Sequence, residues 1–165
     1  MLYNTEFPFI LMANMDTLPE KSLKKPISVL VLLHDAHGQI LLLERTDRAG
    51  FWQSVTGSLE NDETPFQAAL REVAEETGII LPNTQLHDWQ HSTVYEIFPY
   101  WRHRYPPGVT HNTEHWFSAQ IAHQPPTLSE HTAYQWLDPN IAMECVFSPS
   151  NRDMIVQFAK RFQAA

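Results

Sequence analysis

An α/β fold, built as a mixed β-sheet covered by helices, is what this chain predicts. Short β-branched and aliphatic runs separated by turn residues recur along it, and amphipathic helices with their own start signals are inserted between or after them. With 165 residues and no recognisable linker, the chain predicts one domain with a sizeable core.

Residues 1–23 read as a loosely ordered N-terminal arm ahead of a domain over 24–165. The apolar run Phe7 to Ala13 lacks a basic leader, contains Pro8 and is followed by Asp16 and Glu20, unlike a signal peptide. Ile27 to Leu33 has buried-strand character, and His37-Gly38 turns the chain into Gln39 to Arg45, so the two runs predict a hairpin. The run Phe51 to Gly57 brings two aromatics to a glycine turn.

Thr64, Pro65 and Gln67 then give an N-cap, an N1 proline and a capping box, and Gly78 supplies the stop. On this helix Phe66, Ala69, Leu70, Val73 and Thr77 form one stripe, and Glu72, Glu75 and Glu76 share an arc of about 100° opposite it. Further along, Leu86 to Phe98 reads as a strand, Pro99 to Val109 as a long loop with Arg102 and Arg104 available to a polyphosphate, and Glu114 to Ala122 as a strand. Ala133 to Leu137 is another strand. Ser150 caps a last helix whose stripe is Met154, Ile155, Phe158 and Phe162.

The formal charge of −8 argues against a nucleic-acid or anionic-membrane surface, since either needs clustered Lys and Arg. No apolar run approaches the roughly 18 residues of a spanning helix. The single cysteine, Cys145, fits a reducing, cytoplasmic setting. His111 and His115 are four apart but lie in a strand segment, which separates them by about 13 Å and counts against zinc.

The acidic arc is the chemically loaded feature. Its carboxylates repel one another near the negative end of the helix dipole, an arrangement that a hard divalent ion such as Mg²⁺ or Mn²⁺ relieves. Taken alone, it is also what a solvated charged face looks like. The surrounding residues carry the decision: Gly57, Glu63, Arg71, Glu72, Val73, Glu75, Glu76, Gly78 and Ile79 occupy every fixed position of the box of the Nudix hydrolases, which this chain resembles. It departs from the commonest form of the box at Ser58 and Asp62.

The resemblance implies an α/β/α sandwich and metal-dependent hydrolysis of a phosphoanhydride. It implies Glu72, Glu75 and Glu76 as metal ligands or water activators, with Gly57, Glu63, Arg71 and Gly78 as structural members. From about Lys24 to Phe162 the chain is also similar to the bacterial dihydroneopterin triphosphate diphosphatases of folate synthesis. The likeness runs through Phe51 to Ser58, Glu96-Ile97-Phe98, Arg102 to Tyr105, Asn112-Thr113-Glu114, Ser129-Glu130-His131 and Ser150-Asn151-Arg152.

That similarity implies Glu130 as a further metal-site carboxylate. It also implies Lys24, Arg45, Thr56, Tyr95, Glu96, Ile97, Phe98 and Ser148 as contacts to a small-molecule pterin triphosphate. A broader nucleoside-triphosphate or dinucleoside-polyphosphate hydrolase fits the same box. A catalytically silent nucleotide-binding module is the reading from another class, against which the intact acidic cluster weighs.

Overall fold

A computed structural model describes residues 22–164. The arm expected over residues 1–23 therefore lies outside the described residues except for Ser22 and Leu23. The strands are β1 (Ile27–His34), β2 (Ile40–Arg45), β3 (Trp52–Gln53), β4 (Val55–Ser58), β5 (His87–Glu96), β6 (His111–Gln120) and β7 (His131–Leu137). The helices are α1 (Pro65–Thr77), α2 (Pro139–Cys145) and α3 (Pro149–Ala164).

All strands join one mixed sheet with the path β3-β2-β1-β6-β5, to which β4 adds on β1 and β7 on β2. β1 lies parallel to β6 and antiparallel to β4. Its side chains alternate between two cores, which is why the whole run is apolar. Val29, Val31 and Leu33 face Ala68, Ala69 and Val73 of α1. Leu30 and Leu32 face Ala142 of α2 and Met154, Ile155 and Phe158 of α3. The result is the expected sandwich of helix, sheet and helix.

α1 begins and ends where its caps dictate. Thr64 accepts from the Gln67 amide at 3.2 Å, the Gln67 side-chain oxygen accepts from the Thr64 amide at 2.9 Å, and Gly78 closes the helix at φ 72°. Only a residue that tolerates the left-handed region ends a helix this way without strain.

Several elements differ from expectation. The β1–β2 hairpin pairs only at His34 and Ile40, because β4 then occupies one edge of β1 while β7 occupies β2. The run Phe51 to Gly57 is two short strands, β3 on β2 and β4 on β1, so it crosses the opening between them. The long loop contains a 3₁₀ helix, Pro99–Arg104. α2 escaped the sequence reading although Asp138 caps it, accepting from the Asn140 amide at 2.9 Å ahead of Pro139.

α3 starts at Pro149, which puts Ser150 inside its first turn rather than at its cap. Phe162 is not in the buried stripe: it is 36% exposed and lies over Phe158 and His34. Glu72 and Glu76 do not stand on a face turned away from the packing. They are 9% and 5% exposed, tucked beside Val73, and only Glu75 of the acidic arc is at the surface.

Candidate active site

The box folds around Arg71. Its guanidinium donates to Glu63 through Nε at 3.1 Å and Nη2 at 2.5 Å, to the Ser58 carbonyl at 3.1 Å, to Glu72 at 2.8 Å and to Glu75 at 3.0 Å. Glu63 in turn accepts from the Glu60 amide at 2.7 Å. A planar guanidinium with five donors can satisfy several acceptors at once, so Arg71 ties the helix to the loop that precedes it. The pair with Arg71 holds the Glu63 carboxyl below its usual range. The departures from the common box are accommodated in this loop, where Asn61 takes the positive φ of 46°.

Glu76 has a different environment. Its side chain receives the Thr56 amide at 3.3 Å, and among the described residues no cation makes an ion pair with it, Arg45 acting only as a nearby charge. Burial raises its carboxyl well above the usual range, and the nearby Glu72 and Glu130 raise it further. Glu72 is pushed up to about 7, chiefly by burial and against the pull of Arg71. A Cβ at Gly57 would overlap the Glu72 carboxylate, so the glycine is what lets the helix carboxylates lie against β4.

Among the described residues no group of three or more Asp, Glu, His or Cys side chains is placed to hold a metal ion together. Mg²⁺ needs none, since it commonly binds through one or two carboxylates and completes its shell with water and phosphate oxygens. Two buried acids facing a third, one of them with no cationic partner, fit such an ion. Glu75 stands apart on the exposed side of α1, held by Arg71.

On the side of the sheet facing α3, a cavity of about 350 Å³ opens among β1, β4, β5, β6 and the start of α3. Lys24, Arg45, Thr56, Tyr95, Glu96, Ile97, Phe98, Ser148 and Glu130 all line it, so the structure brings together the residues that the similarity implied as contacts, whereas Arg102 lies outside the lining. Lys24 and Arg45 bring charge to it. Burial and then the neighbouring Arg104 lower the Lys24 ammonium. Arg45 makes a forked pair with Asp47 at 2.7 and 2.8 Å and lies 4.5 Å over the Trp101 ring.

A second cavity, about 1010 Å³, is walled by Glu72, Glu60, Arg48 and Lys25. It shares Lys24, Ser58, Trp101 and Arg104 with the first, so the two adjoin along a cationic rim.

The two loop arginines divide their work. Arg104 lines both cavities, whereas Arg102 braces the loop by donating to Glu96 and, at 3.1 Å, to the Ile97 carbonyl. The sequence reading missed Ser28, Gln53, Trp101, Tyr105, Glu114 and Phe147 of the lining. Gln53, Tyr105 and Glu114 stand in runs that carry the likeness, and Glu114 has a signal of its own: a carboxylate two residues before the apolar pair Trp116-Phe117 interrupts a buried strand face.

Comparison with known proteins meets this geometry at the box and around it. The Nudix domain pattern matches residues 24–158. The chain belongs to the Nudix family. Within the Nudix family it is 46% identical over 145 residues to the dihydroneopterin triphosphate diphosphatase of Escherichia coli K12, covering 86% of this chain and 97% of that one. It is 39% identical to the Haemophilus influenzae protein of the same name, over 79% and 85% of the two chains. The solved structure of the E. coli dihydroneopterin triphosphate pyrophosphohydrolase superposes with a TM-score of 0.80 at 45% identity, covering 84% of this chain and 97% of the other. This Nudix chain is thus a hydrolase of the same fold as those relatives. No helix among the described residues is long and apolar enough to cross a membrane.

Proposed function

We infer that this Nudix hydrolase converts 7,8-dihydroneopterin triphosphate and water to dihydroneopterin monophosphate and pyrophosphate. The observation that carries the reading is the pair of adjoining cavities. One is aromatic and large enough for a bicyclic ring, the other is walled by Glu72, and Lys24 and Arg104 are common to both. The relatives that match 86% and 79% of this chain bear the same substrate in their names.

In this reading Glu72, Glu76 and Glu130 hold a divalent ion, Mg²⁺ or Mn²⁺, with Glu75 as a fourth candidate at the exposed rim. When bound, the ion lowers the pKa of water and neutralises charge on phosphate oxygens. Lys24, Arg45 and Arg104 attract and orient the triphosphate. Thr56, whose hydroxyl donates to the Val29 carbonyl at 2.8 Å, presents β4 to the phosphates, and its amide steadies Glu76. Tyr95, Glu96, Ile97, Phe98 and Ser148 line the ring's place. Arg71 and Glu63 keep Glu72 and the loop in register. A small triphosphate, rather than nucleic acid or a membrane, is the partner, and we place the reaction in the cytoplasm.

The test is a panel of the pterin triphosphate, ordinary nucleoside triphosphates and dinucleoside polyphosphates, assayed with and without Mg²⁺ and resolving pyrophosphate from orthophosphate. The pterin is expected to have the highest kcat/KM, with pyrophosphate as product. Faster turnover of ordinary nucleotides would replace the substrate, and no metal-dependent turnover at all would favour the silent module.

A further inference from the structure

The floor of the ring cavity carries a carboxyl that hydrolysis of the phosphate chain does not use. Glu114 lies in mid-sheet on β6, level with Ser28 of β1 and Thr93 of β5. It is 3% exposed and lines the cavity. Its partners are neutral donors, the Trp116 indole at 3.3 Å and the Ser150 hydroxyl, and among the described residues no Lys or Arg offsets it. Burial accordingly pushes this carboxyl up to about 7.

A buried acid without a cation is costly to keep, and an apolar or amide side chain would fill the position at less cost. What the acid offers is accepting capacity: two oxygens with about four lone-pair sites, of which the indole and hydroxyl use a part. The cations Lys24, Arg45 and Arg104 line the same cavity without pairing with it, so the cavity offers positive charge in one region and, with the carboxyl ionised, two acceptor oxygens in another. Phe98, Trp101 and Phe147 form an aromatic wall to it.

We propose that Glu114 is the specificity-determining residue for the ring, its two oxygens accepting the paired N–H donors of a 2-amino-pyrimidin-4-one edge. A dihydropterin presents that edge, with a ring N–H beside an exocyclic amino group, and so does guanine. Hypoxanthine keeps the ring N–H but lacks the amino group. Adenine offers a ring acceptor beside its amino group and meets the carboxylate badly. The proposal rests on the pterin reading above and deepens it, yet predicts a ranking that can be measured apart from it.

The probes are GMP, IMP and AMP, which resemble the monophosphate product, titrated by calorimetry into the full chain with Mg²⁺ present. The wild type is expected to bind GMP about 10- to 100-fold more tightly than AMP, with IMP between. Glu114→Gln, whose amide offers one acceptor and one donor group, is expected to erase the gap between GMP and AMP at a melting temperature no lower than the wild type's. Equal binding of the three by the wild type overturns the proposal, as does a variant that weakens all three by one factor, the mark of a merely structural role.

Should Glu114→Gln fail to fold, the wild-type ranking and Glu114→Asp decide, the latter being expected to narrow the gap by shortening the reach. Turnover of dihydroneopterin triphosphate is measured separately. A wild type that ranks GMP first but leaves the pterin intact removes the proposed substrate and keeps Glu114's role; one that hydrolyses the pterin without ranking the monophosphates does the reverse.

Discussion

Glu63 and Glu76 belong to one box, but the protein surrounds them in opposite ways. Glu63 is enclosed by two Arg71 nitrogens and the Glu60 amide, which hold its carboxyl low. Glu76 is buried more deeply, meets one amide at 3.3 Å, and faces Glu72 and Glu130. The first is electrostatically complete within the chain and acts as a brace. The second is left incomplete, and its neighbourhood gains most from an added divalent cation. One motif thus separates a self-neutralised scaffold from a site under charge repulsion.

The largest effect is expected where that incompleteness is removed. Glu76→Gln should lower Mg²⁺-dependent kcat/KM by about 10³-fold, the loss of several kcal/mol of charge stabilisation. The metal-free variant should melt at or above the wild-type temperature, because a buried repulsion has gone. Activity and melting curves together check this, and a variant that melts early would make Glu76 a structural acid instead.

Breaking the completed half should have the contrasting signature. Arg71→Met removes the shared partner of Glu63, Glu72 and Glu75 and should cost about 3 kcal/mol of stability, since partly buried acids are left without their cation. Chemical denaturation measures it. An unchanged midpoint would show that the brace is held by the loop backbone alone.

The pH dependence of the metal-free protein sharpens the same contrast. Glu72's folded pKa of about 7 is raised from 4.5, so its contribution to stability is present in full below the lower value and lost as pH rises through the upper. Glu63 works in the opposite sense, its contribution being lost only in more acid solution. Between about pH 4.5 and 7 the chain in chelator should therefore lose on the order of 3 kcal/mol through Glu72, and Mg²⁺ at pH 8 should restore part of it. Melting temperature against pH, for the wild type and Glu72→Gln, reads the effect; parallel curves for the two would dismiss Glu72 as its source.

The smallest change is expected at Glu75, whose side chain is 56% exposed and linked to Arg71 across one helical turn. Glu75→Gln should shift stability by about 0.5 kcal/mol or less and lower activity far less than Glu76→Gln. A loss as large as that of Glu76→Gln would move Glu75 into the ion-binding set.

Much of this was legible beforehand, because local chemistry controls it. Thr64, Pro65, Gln67 and Gly78 act on backbone groups within a few residues, so α1 begins and ends as read. The aliphatic run of β1 announces burial on both faces. Asp138-Pro139 carried an equally local signal for α2 that went unread. What misled was the assumption that charge turns outward: periodicity placed Glu72 and Glu76 opposite the apolar stripe, yet both are buried. Nothing local to the helix says that Gly57, on another strand, leaves room for the Glu72 carboxylate.

By itself, then, the sequence determined the helix with its caps, the strand runs, and the box that names the reaction class, since each depends on neighbours in the chain. Only the tertiary structure decided that Arg71 completes Glu63 and not Glu76, that Glu130 comes to face the helix acids, and that Glu114 and Ser28 share a cavity floor. Those relations join residues far apart in sequence, through strand register and through burial that converts an ordinary carboxylate into one needing a partner.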